Sequence, residues 1–237
     1  MLTKNHIKLI ASLHQKKYRQ QHGLFVVEGV KGVQEFLNSH YELFHLFATA
    51  PIFDAKTIEI SDKELNKISQ LKSPNKALAV FRIPQQKMMT PRGLVLALDD
   101  VRDPGNLGTI IRLCDWFGIE NLVCSKATVD CYNTKVVQAT MGSLTRVSIQ
   151  YVDLEHYLKS ASIPVFGTFM DGDSIYSEEL PTEGIVIMGN EANGISDAIA
   201  KLVTKKLRIP RFGRLQATES LNVATATAIV LSEFKRS

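Results

Sequence analysis

The sequence predicts an α/β protein whose larger part is built on a mostly parallel β-sheet. From Leu94 onward, short apolar segments alternate with amphipathic segments, a pattern typical of strands that alternate with helices. The segment LVLALDD, which starts at Leu94, is apolar without interruption until its two aspartates. A strand buried on both faces of a parallel sheet has this composition.

The other elements of this part follow from the same patterns. Strands are predicted at Asn121–Ser125, Arg146–Tyr151, Val165–Met170, Ile185–Gly189 and Leu207–Pro210. Helices are predicted at Asn106–Phe117 and Thr134–Met141, which Gly118 and Gly142 end, and at Leu154–Ser160 and Ser196–Val203.

The segment that follows Pro210 predicts a further helix, which begins near Glu219 and is capped by Thr218 or Ser220. Its apolar residues occur at almost every helical phase, so its surface must be covered by its own domain or by a second copy of the chain.

A smaller α/β domain is predicted before Leu94, with a linker, PQQKMMTPRG, that lacks periodicity and contains two prolines and a glycine. We therefore expect a first domain at residues 1–83, a linker at 84–93 and a second domain at 94–237. The first domain is predicted to open with an amphipathic helix that turns Leu9, Ile10 and Leu13 inward. Its other elements are strands at Leu24–Glu28, Leu43–Ala48, Thr57–Ile60 and Lys76–Ile83, and helices around Val33–Leu37 and at Asp62–Ser69, the latter capped by Ser61.

Composition excludes several classes of protein. The chain has 237 residues, is 45% hydrophobic and carries a net charge of +4. No run of eighteen apolar residues is present and lysine and histidine interrupt the first apolar positions, so we expect neither a membrane span nor a signal peptide and predict a cytoplasmic protein. The three cysteines lack a CxxC spacing, which argues against disulfides and zinc.

A basic cluster marks the first domain. Lys16, Lys17, Tyr18 and Arg19 are consecutive, and the aromatic ring among the cations suits a contact with RNA, in which Tyr18 stacks on a base. A solvated helix face is the alternative interpretation.

Three loops of the second domain follow predicted strands and carry polar residues, at the edge where open α/β sheets bind ligands. In the first, Pro104-Gly105 forces a turn, Asn106 can cap the next helix, and Arg112 lies nearly two turns further on. This loop is neither GxGxxG nor a Walker motif, which disfavours a dinucleotide-dependent oxidoreductase.

The second and third loops add further polar groups. In IVIMGNEANGI, the glycines of GNEANG let main-chain atoms approach a ligand closely, although a plain Asn/Gly turn has the same composition. In the closing segment, Glu219, Ser220 and Asn222 crowd the start of the terminal helix, where capping alone explains one or two of them.

Together the three loops resemble the signature motifs of the SpoU branch of the SPOUT RNA methyltransferases. DPGNLGTIIR matches the first motif, IVIMGNEANGI the second, and IP followed by ESLNVATATAI the third. The basic helix followed by GLFVVEGVKGVQEF resembles the substrate-binding domain of this family, which is related to ribosomal proteins that bind RNA. One departure is the loop from Arg211 to Thr218, about three residues longer than is common in the family.

The resemblance implies methyl transfer from S-adenosylmethionine to a ribose 2′-hydroxyl of RNA, a deep trefoil knot in the C-terminal half, and a homodimer formed through the knotted domains. Ribosomal RNA is the favoured substrate, with transfer RNA the runner-up and an inactive RNA-binding relative the further alternative. By the same resemblance, main-chain atoms near Thr168, Gly189, Ile209 and Leu221 bind the cofactor, and Asn106, Arg112, Glu191, Ser220 and Asn222 form the catalytic site. We expect RNA contacts from Lys16, Lys17, Tyr18, Arg19, Arg211 and Arg214.

The chemistry of these residues agrees with such a site. None of the three loops contains a histidine, and the family assigns activation of the hydroxyl to the residue that matches Arg112. Because an arginine rarely gives up its proton, we favour Arg112 as an electrostatic clamp that eases alkoxide formation, and its role as a base remains the alternative. We expect no metal, since a sulfonium is already a good methyl donor.

Overall fold

The computed structural model describes residues 1–85, 93–215 and 220–236, and its packing divides the chain into two compact units. The first unit comprises Met1–Lys87 and Asp130–Thr145, and the second comprises Met88–Val129 and Arg146–Ser237. The predicted domain limits did not include 130–145 in the first unit. Most of the predicted linker, residues 86–92, lies outside the described residues.

The first unit has a four-stranded sheet with helices on both faces. Along the chain the elements are α1 (Lys4–Ser12), α2 (Lys16–His22), β1 (Leu24–Glu28), α3 (Val30–Leu37), β2 (Leu43–Ala48), β3 (Ile58–Glu59), α4 (Asp62–Ile68) and β4 (Ala77–Arg82). The strand order is β1-β4-β2-β3, in which β4 runs antiparallel to both neighbours and β3 is parallel to β2.

Local sequence explains why these elements form. Ile10 and Leu13 are fully buried and pack with Leu65 and Ile68 against the apolar face of the sheet. Ser61 caps α4 as predicted, since its side chain accepts from the Glu64 backbone amide while the Glu64 carboxylate accepts from the Ser61 amide.

Residues 130–145 complete the other face of this sheet. They form α6 (Thr134–Thr140) and a 3₁₀ turn at Ser143–Thr145, and α6 packs on β1. The Tyr132 ring lies 4.7 Å from that of Phe25, within a cluster that includes Tyr41, and burial raises the pKa of both tyrosines. Gly142, between α6 and the 3₁₀ turn, adopts φ +95°, and a Cβ there would lie 2.7 Å from Glu35 Cγ.

A buried ion pair attaches this segment to α2. The Arg19 side chain is only 2% exposed, and its Nη2 and Nε atoms lie 2.6 and 2.9 Å from Asp130 Oδ2. Its Nη1 donates to the carbonyls of Leu13 and His14 at 2.9 and 3.0 Å. The prediction that Arg19 contacts RNA is therefore wrong, because the guanidinium is buried and bonded within the unit.

The second unit is a six-stranded parallel sheet with the order β10-β8-β9-β5-β6-β7. Its elements are β5 (Leu94–Leu98), α5 (Pro104–Phe117), β6 (Asn121–Ser125), β7 (Ser148–Val152), α7 (Leu154–Lys159), β8 (Val165–Ser174), β9 (Gly184–Met188), α8 (Asp197–Ala200), β10 (Lys205–Arg208) and α9 (Val223–Phe234). Every residue of β5, β6 and β9 is buried, and for β5 this confirms the prediction of a strand covered on both faces.

Two helix starts differ from the predictions. Asp103, and not Asn106, caps α5: its carboxylate accepts from the Asn106 amide at 2.8 Å, and Pro104 occupies the first helical turn. Helix α9 begins at Val223 with Asn222 as its cap, whereas Ser220 precedes the helix and Thr218 lies outside the described residues. α5 and α9 pack against each other. Within the described ranges, no helix is long and apolar enough to cross a membrane.

Replacing Arg19 with methionine tests the buried ion pair. We expect Arg19→Met to lower the free energy of unfolding by about 3 kcal/mol, because Asp130 would keep a largely buried charge without its partner. Urea denaturation followed by circular dichroism measures this loss. Lys17→Met on the exposed side of the same helix is the charge-matched control and should cost less than about 0.5 kcal/mol. Equal losses in the two variants would contradict the assigned role.

Candidate active site

The three predicted loops meet at one edge of the parallel sheet. Strands β5 and β9 are neighbours, with Leu98 paired to Met188, so the loops that follow them leave the sheet at the same level. Strand β8 lies between β9 and β10, and its Gly167 pairs with Ile187 on one side and with Lys206 on the other. The carboxyl ends of these strands form the edge where α/β sheets bind ligands.

A chain of hydrogen bonds joins one side chain from each loop. Asn106 Nδ2 donates to Glu191 Oε1 at 2.9 Å, and Asn222 Nδ2 donates to Asn106 Oδ1 at 2.9 Å. Glu191 also accepts from the backbone amides of Arg102 and Asp103, at 3.4 and 3.3 Å. The structure therefore brings together three of the five predicted catalytic residues. We call this set, Asn106, Glu191 and Asn222, the three-loop network.

The direction of each bond in the network follows from its neighbours. An ionised Glu191 can only accept, so the amide nitrogen of Asn106 must face it and the Asn106 oxygen must point to Asn222. Asn222 then donates from its nitrogen, and its oxygen accepts from the amides of Ala224 and Thr225 at the start of α9. The side-chain amides of Asn106 and Asn222 therefore each have a single orientation. The Glu191 carboxylate sets that of Asn106, and the backbone amides at the start of α9 set that of Asn222.

The loop that carries Glu191 is held by its own backbone. Asn190 and Gly194 exchange two backbone hydrogen bonds of 2.9 Å, and the Asn190 side chain donates to the Asp100 carbonyl at 2.7 Å. A Cβ at Gly189 would lie 2.2 Å from the Gly194 carbonyl carbon, so only glycine fits at this position. The GNEANG segment is thus more than a plain turn, since its glycine permits the close approach that positions Glu191.

Charged residues surround the first loop. Arg102 binds the Asp100 carboxylate, with Nε–Oδ1 and Nη2–Oδ2 distances of 2.8 Å, and this hydrogen bonding raises the pKa of the guanidinium. Asp100 adopts φ +60°, a left-handed conformation that an aspartate tolerates better than most residues. Asp99 accepts from the Ser196 amide at 2.8 Å and so connects β5 to the start of α8.

Two predicted catalytic residues lie outside the network. Arg112 is on the exposed face of α5, about 9 Å along the helix from Asn106 and roughly 120° around it. Its guanidinium makes no ion pair within the part of the chain that the structure describes. Trp116, one turn further along the same face, is 83% exposed. Ser220 is exposed and has no described hydrogen bond to the network.

The predicted cofactor residues lie around the same edge. Thr168 is one residue beyond the Gly167 pairings and donates its hydroxyl to the Ile187 carbonyl at 3.1 Å. Gly189 and Ile209 directly follow β9 and β10, and Leu221, which is 48% exposed, adjoins Asn222 of the network. Main-chain groups beside apolar side chains suit a ligand that combines an adenine ring with an aliphatic sulfonium group.

The predicted RNA contacts fall into two groups. In the first unit Lys16 and Lys17 are exposed, and the Lys17 ammonium lies 5.8 Å from the Tyr18 ring. In the second unit Arg211 and Arg214 are exposed on the loop after β10, whose residues 216–219, including Thr218 and Glu219, lie outside the described residues. No cluster of three or more potential metal-ligating side chains occurs among the described residues.

Sequence reasoning missed several residues that shape this site. Asp103 was not identified as the cap of α5, although an aspartate before a proline is a known start signal. Asn190, which holds both its own turn and the first loop, was read only as part of a glycine-rich segment. Phe212, exposed between Arg211 and Arg214, could have been noticed as an aromatic residue between two cations.

Comparisons with known proteins agree with this geometry. Residues 93–232 match the model of the SpoU rRNA Methylase family, and residues 4–79 match that of an MRM3-like substrate binding domain. The 23S rRNA (guanosine(2553)-2′-O)-methyltransferase RlmP of Bacillus subtilis is 32% identical over 230 residues, covering 92% of this chain and 91% of its own length.

Solved structures give the same result. A TrmH-family protein from Porphyromonas gingivalis is 41% identical and superposes with a TM-score of 0.90, covering 100% of this chain and 99% of its own. An rRNA methyltransferase from Sinorhizobium meliloti with bound AdoMet is 29% identical, with a TM-score of 0.88, covering 100% and 96% respectively.

Alanine substitutions at Asn222 and Ser220 distinguish the observed cap from the predicted one. We expect Asn222→Ala to destabilise the protein by about 1 kcal/mol or more, because α9 loses its cap and Asn106 loses its hydrogen-bond donor. Ser220→Ala should change stability by less than about 0.5 kcal/mol. Thermal denaturation of the two variants provides the measurement, and a larger loss at Ser220 would contradict the cap assignment.

Proposed function

Because the chain belongs to the SpoU rRNA methylase family, we propose that it transfers the methyl group of S-adenosylmethionine to a ribose 2′-hydroxyl of ribosomal RNA. The observation that carries this proposal is the three-loop network, which joins Asn106, Glu191 and Asn222 from the three motifs at the ligand-binding edge of the sheet. The relatives with bound AdoMet or with a named ribose methyltransferase activity supply the reaction class.

The reaction needs orientation and charge stabilisation. In the reaction the ribose oxygen would form a bond to the methyl carbon as the bond from that carbon to sulfur breaks, and the hydroxyl proton would pass to solvent water. A sugar hydroxyl is a weak nucleophile, so it must be held in line with the methyl group and its developing negative charge must be stabilised. S-adenosylmethionine, when bound, supplies the methyl group on a sulfonium that leaves readily as a thioether.

The residues of the sheet edge fit the cofactor. Thr168 lies within β8, Gly189 and Ile209 directly follow β9 and β10, and Leu221 precedes α9. In this proposal the main-chain groups of these four residues hold the adenosine. Gly189 has no space for a side chain, and the turn that follows it places the Glu191 carboxylate on Asn106. In this proposal the network fixes the loops on which both substrates bind.

In this proposal Arg112 stabilises the negative charge that develops on the reacting oxygen. The proposal also includes a homodimer, in which a second copy of the chain covers the helix face that carries Arg112. The Arg112 and Trp116 side chains lie one turn apart on the exposed face of α5, and a tryptophan that is 83% exposed is typical of a surface that a partner covers. A second copy packed on this face places Arg112 at the subunit boundary. Such a dimer accounts for an arginine that has no described partner within its own chain.

The mass of the protein in solution tests the proposed dimer. Light scattering that reports twice the chain mass supports the dimer, and a monomer mass contradicts it.

The N-terminal unit favours ribosomal RNA over transfer RNA. It matches a substrate-binding domain model, and it exposes Lys16 and Lys17 beside the Tyr18 ring, a combination suited to phosphates and bases. The second unit adds Arg211 and Arg214 near the proposed cofactor residues. We also infer that the second unit carries the trefoil knot of this family, supported by its likeness to the solved structures.

Mapping of 2′-O-methyl groups across total RNA, with and without the gene, tests the substrate assignment. Loss of one methylated position in ribosomal RNA supports the proposal, and loss of a position in transfer RNA supports the runner-up. Unchanged methylation, together with a purified protein that binds RNA but not S-adenosylmethionine, would instead identify an inactive RNA-binding relative.

Arg112→Ala tests the catalytic role of the arginine. We expect methyl transfer to fall by about 100-fold or more, because the developing oxyanion loses its positive partner. Dimer mass and cofactor affinity should stay near those of the wild type. Radiolabelled methyl transfer, light scattering and calorimetry measure the three properties.

Two control variants sharpen this result. Arg112→Lys keeps the charge without the guanidinium fork, so partial activity in that variant supports an electrostatic role. Lys201→Ala, which removes an exposed cation directly after α8 and outside the site, should retain full activity. Undiminished turnover of Arg112→Ala would remove Arg112 from the mechanism.

A further inference from the structure

Two exposed aromatic residues lie near Arg211 in the second unit, and the function proposed above gives these two rings no role. The Tyr176 and Phe212 rings are stacked, with centroids 6.4 Å apart and planes inclined by 28°. Phe212 is 82% exposed and Tyr176 is 42% exposed, so most of the Phe212 ring is open to solvent. We call these two residues the aromatic pair.

Such exposure is unusual for a phenylalanine that serves only the fold. Burying a phenylalanine side chain stabilises a protein by about 2 kcal/mol, and Phe212 gains little of this in its present position. Its neighbour Leu215 is 92% exposed as well. An apolar surface of this kind indicates a partner that covers it.

The charges around the aromatic pair favour a polyanion as that partner. Arg211 and Arg214 are exposed on either side of Phe212, and Arg211 Nη2 lies 3.9 Å from Met170 Sδ. The nearby carboxylate of Asp171 is paired with Lys206, with an Nζ–Oδ2 distance of 3.2 Å. Aromatic rings beside arginines are the combination that proteins use for unpaired nucleotides, in which bases stack and phosphates meet the cations.

The position of the aromatic pair relates it to the reaction. Phe212 follows the predicted cofactor residue Ile209 by three residues, so the two Cα atoms lie within about 11 Å of each other. Tyr176 belongs to the 3₁₀ turn Ile175–Ser177, which follows β8, the strand that carries Thr168. A base stacked here therefore belongs to a nucleotide close to the one that is methylated.

We propose that Phe212 and Tyr176 form a stacking platform for an unpaired nucleobase that neighbours the target nucleotide, with Arg211 and Arg214 contacting its phosphates. The platform rests on the proposed RNA methyltransferase function and adds a requirement to it: the RNA must be single-stranded or opened beside the methylated ribose. Stacking accepts any base face, so the platform selects unpaired structure more than sequence.

Binding of a 12-nucleotide oligoadenylate, compared with an abasic strand of the same length, tests the platform directly. Fluorescence anisotropy of labelled strands measures both affinities for the wild type, Phe212→Ala, Tyr176→Ala and Phe212→Trp. We expect Phe212→Ala to bind oligoadenylate about tenfold more weakly and the abasic strand unchanged, because only the base contact is lost. Phe212→Trp should restore the affinity, since it keeps an aromatic face.

Ile52→Ala, an exposed apolar residue of the first unit, is the matched control and should bind as the wild type does. With RNA from a strain that lacks the gene as substrate, Phe212→Ala should raise the KM for RNA about tenfold and leave kcat nearly unchanged. Calorimetry with S-adenosylmethionine should give the same affinity for all variants.

The possible failures are distinguishable. Equal affinity of the wild type for oligoadenylate and the abasic strand overturns the platform and leaves the methyltransferase proposal intact if cofactor binding and methyl transfer persist. A wild type without cofactor binding or methyl transfer overturns the function itself. A Phe212→Ala variant that loses its dimer mass identifies the aromatic pair as a subunit contact and also overturns the platform.

Discussion

The three-loop network is the constraint on which the proposed site depends. Its members lie far apart in the sequence, with Glu191 85 residues from Asn106 and Asn222 116 residues from Asn106. A carboxylate that only accepts and a helix start that only donates hold the two amides between them, so the network has one arrangement. Because each residue belongs to a different loop, the network fixes those loops relative to one another.

The parallel sheet makes this arrangement possible. Adjacent parallel strands end at one edge, and the pairing of Leu98 with Met188 aligns the first two loops before any side chain acts. Gly189 then lets the backbone of Gly194 approach more closely than any side chain would permit. In the other unit the buried pair of Arg19 and Asp130 has a comparable role, since it secures a segment that the chain inserts between β6 and β7.

Local patterns in the sequence predicted most of the elements. The strands β5 and β9 are continuous apolar runs, and Ser61 with Glu64 forms the capping box that its spacing suggests. Two predicted helix caps differ from the structure. Asn106 was predicted to cap α5, where Asp103 does so, and Thr218 or Ser220 was predicted to cap α9, where Asn222 does so. The Asn106 side chain is bound in the network and does not cap its helix, whereas Asn222 caps α9 through its oxygen and joins the network through its nitrogen. Only the three-dimensional structure reveals these contacts.

Long-range packing could not be predicted in this way. Arg19 looked like one of four residues in a basic cluster, because its partner Asp130 lies 111 residues away. Residues 130–145 were not predicted to belong to the first unit for the same reason. Their helix α6 has an ordinary amphipathic pattern, and no feature of the nearby sequence shows that it packs on β1. Arg112 illustrates the remaining gap: it lies on an exposed helix face, and the role proposed for it needs an assembly of two chains, which the sequence of one chain does not describe.

The measurement that tests the network most directly is the single-turnover rate of methyl transfer by Glu191→Gln with saturating S-adenosylmethionine and RNA. A glutamine keeps the shape but replaces one acceptor with a donor, so it cannot accept all three N–H groups that meet at Glu191. We expect the rate to fall by about 100-fold while the protein keeps its fold and the solution mass of the wild type, as a small displacement of the reacting groups would cause. A rate equal to that of the wild type would contradict the proposal that the network organises the active site.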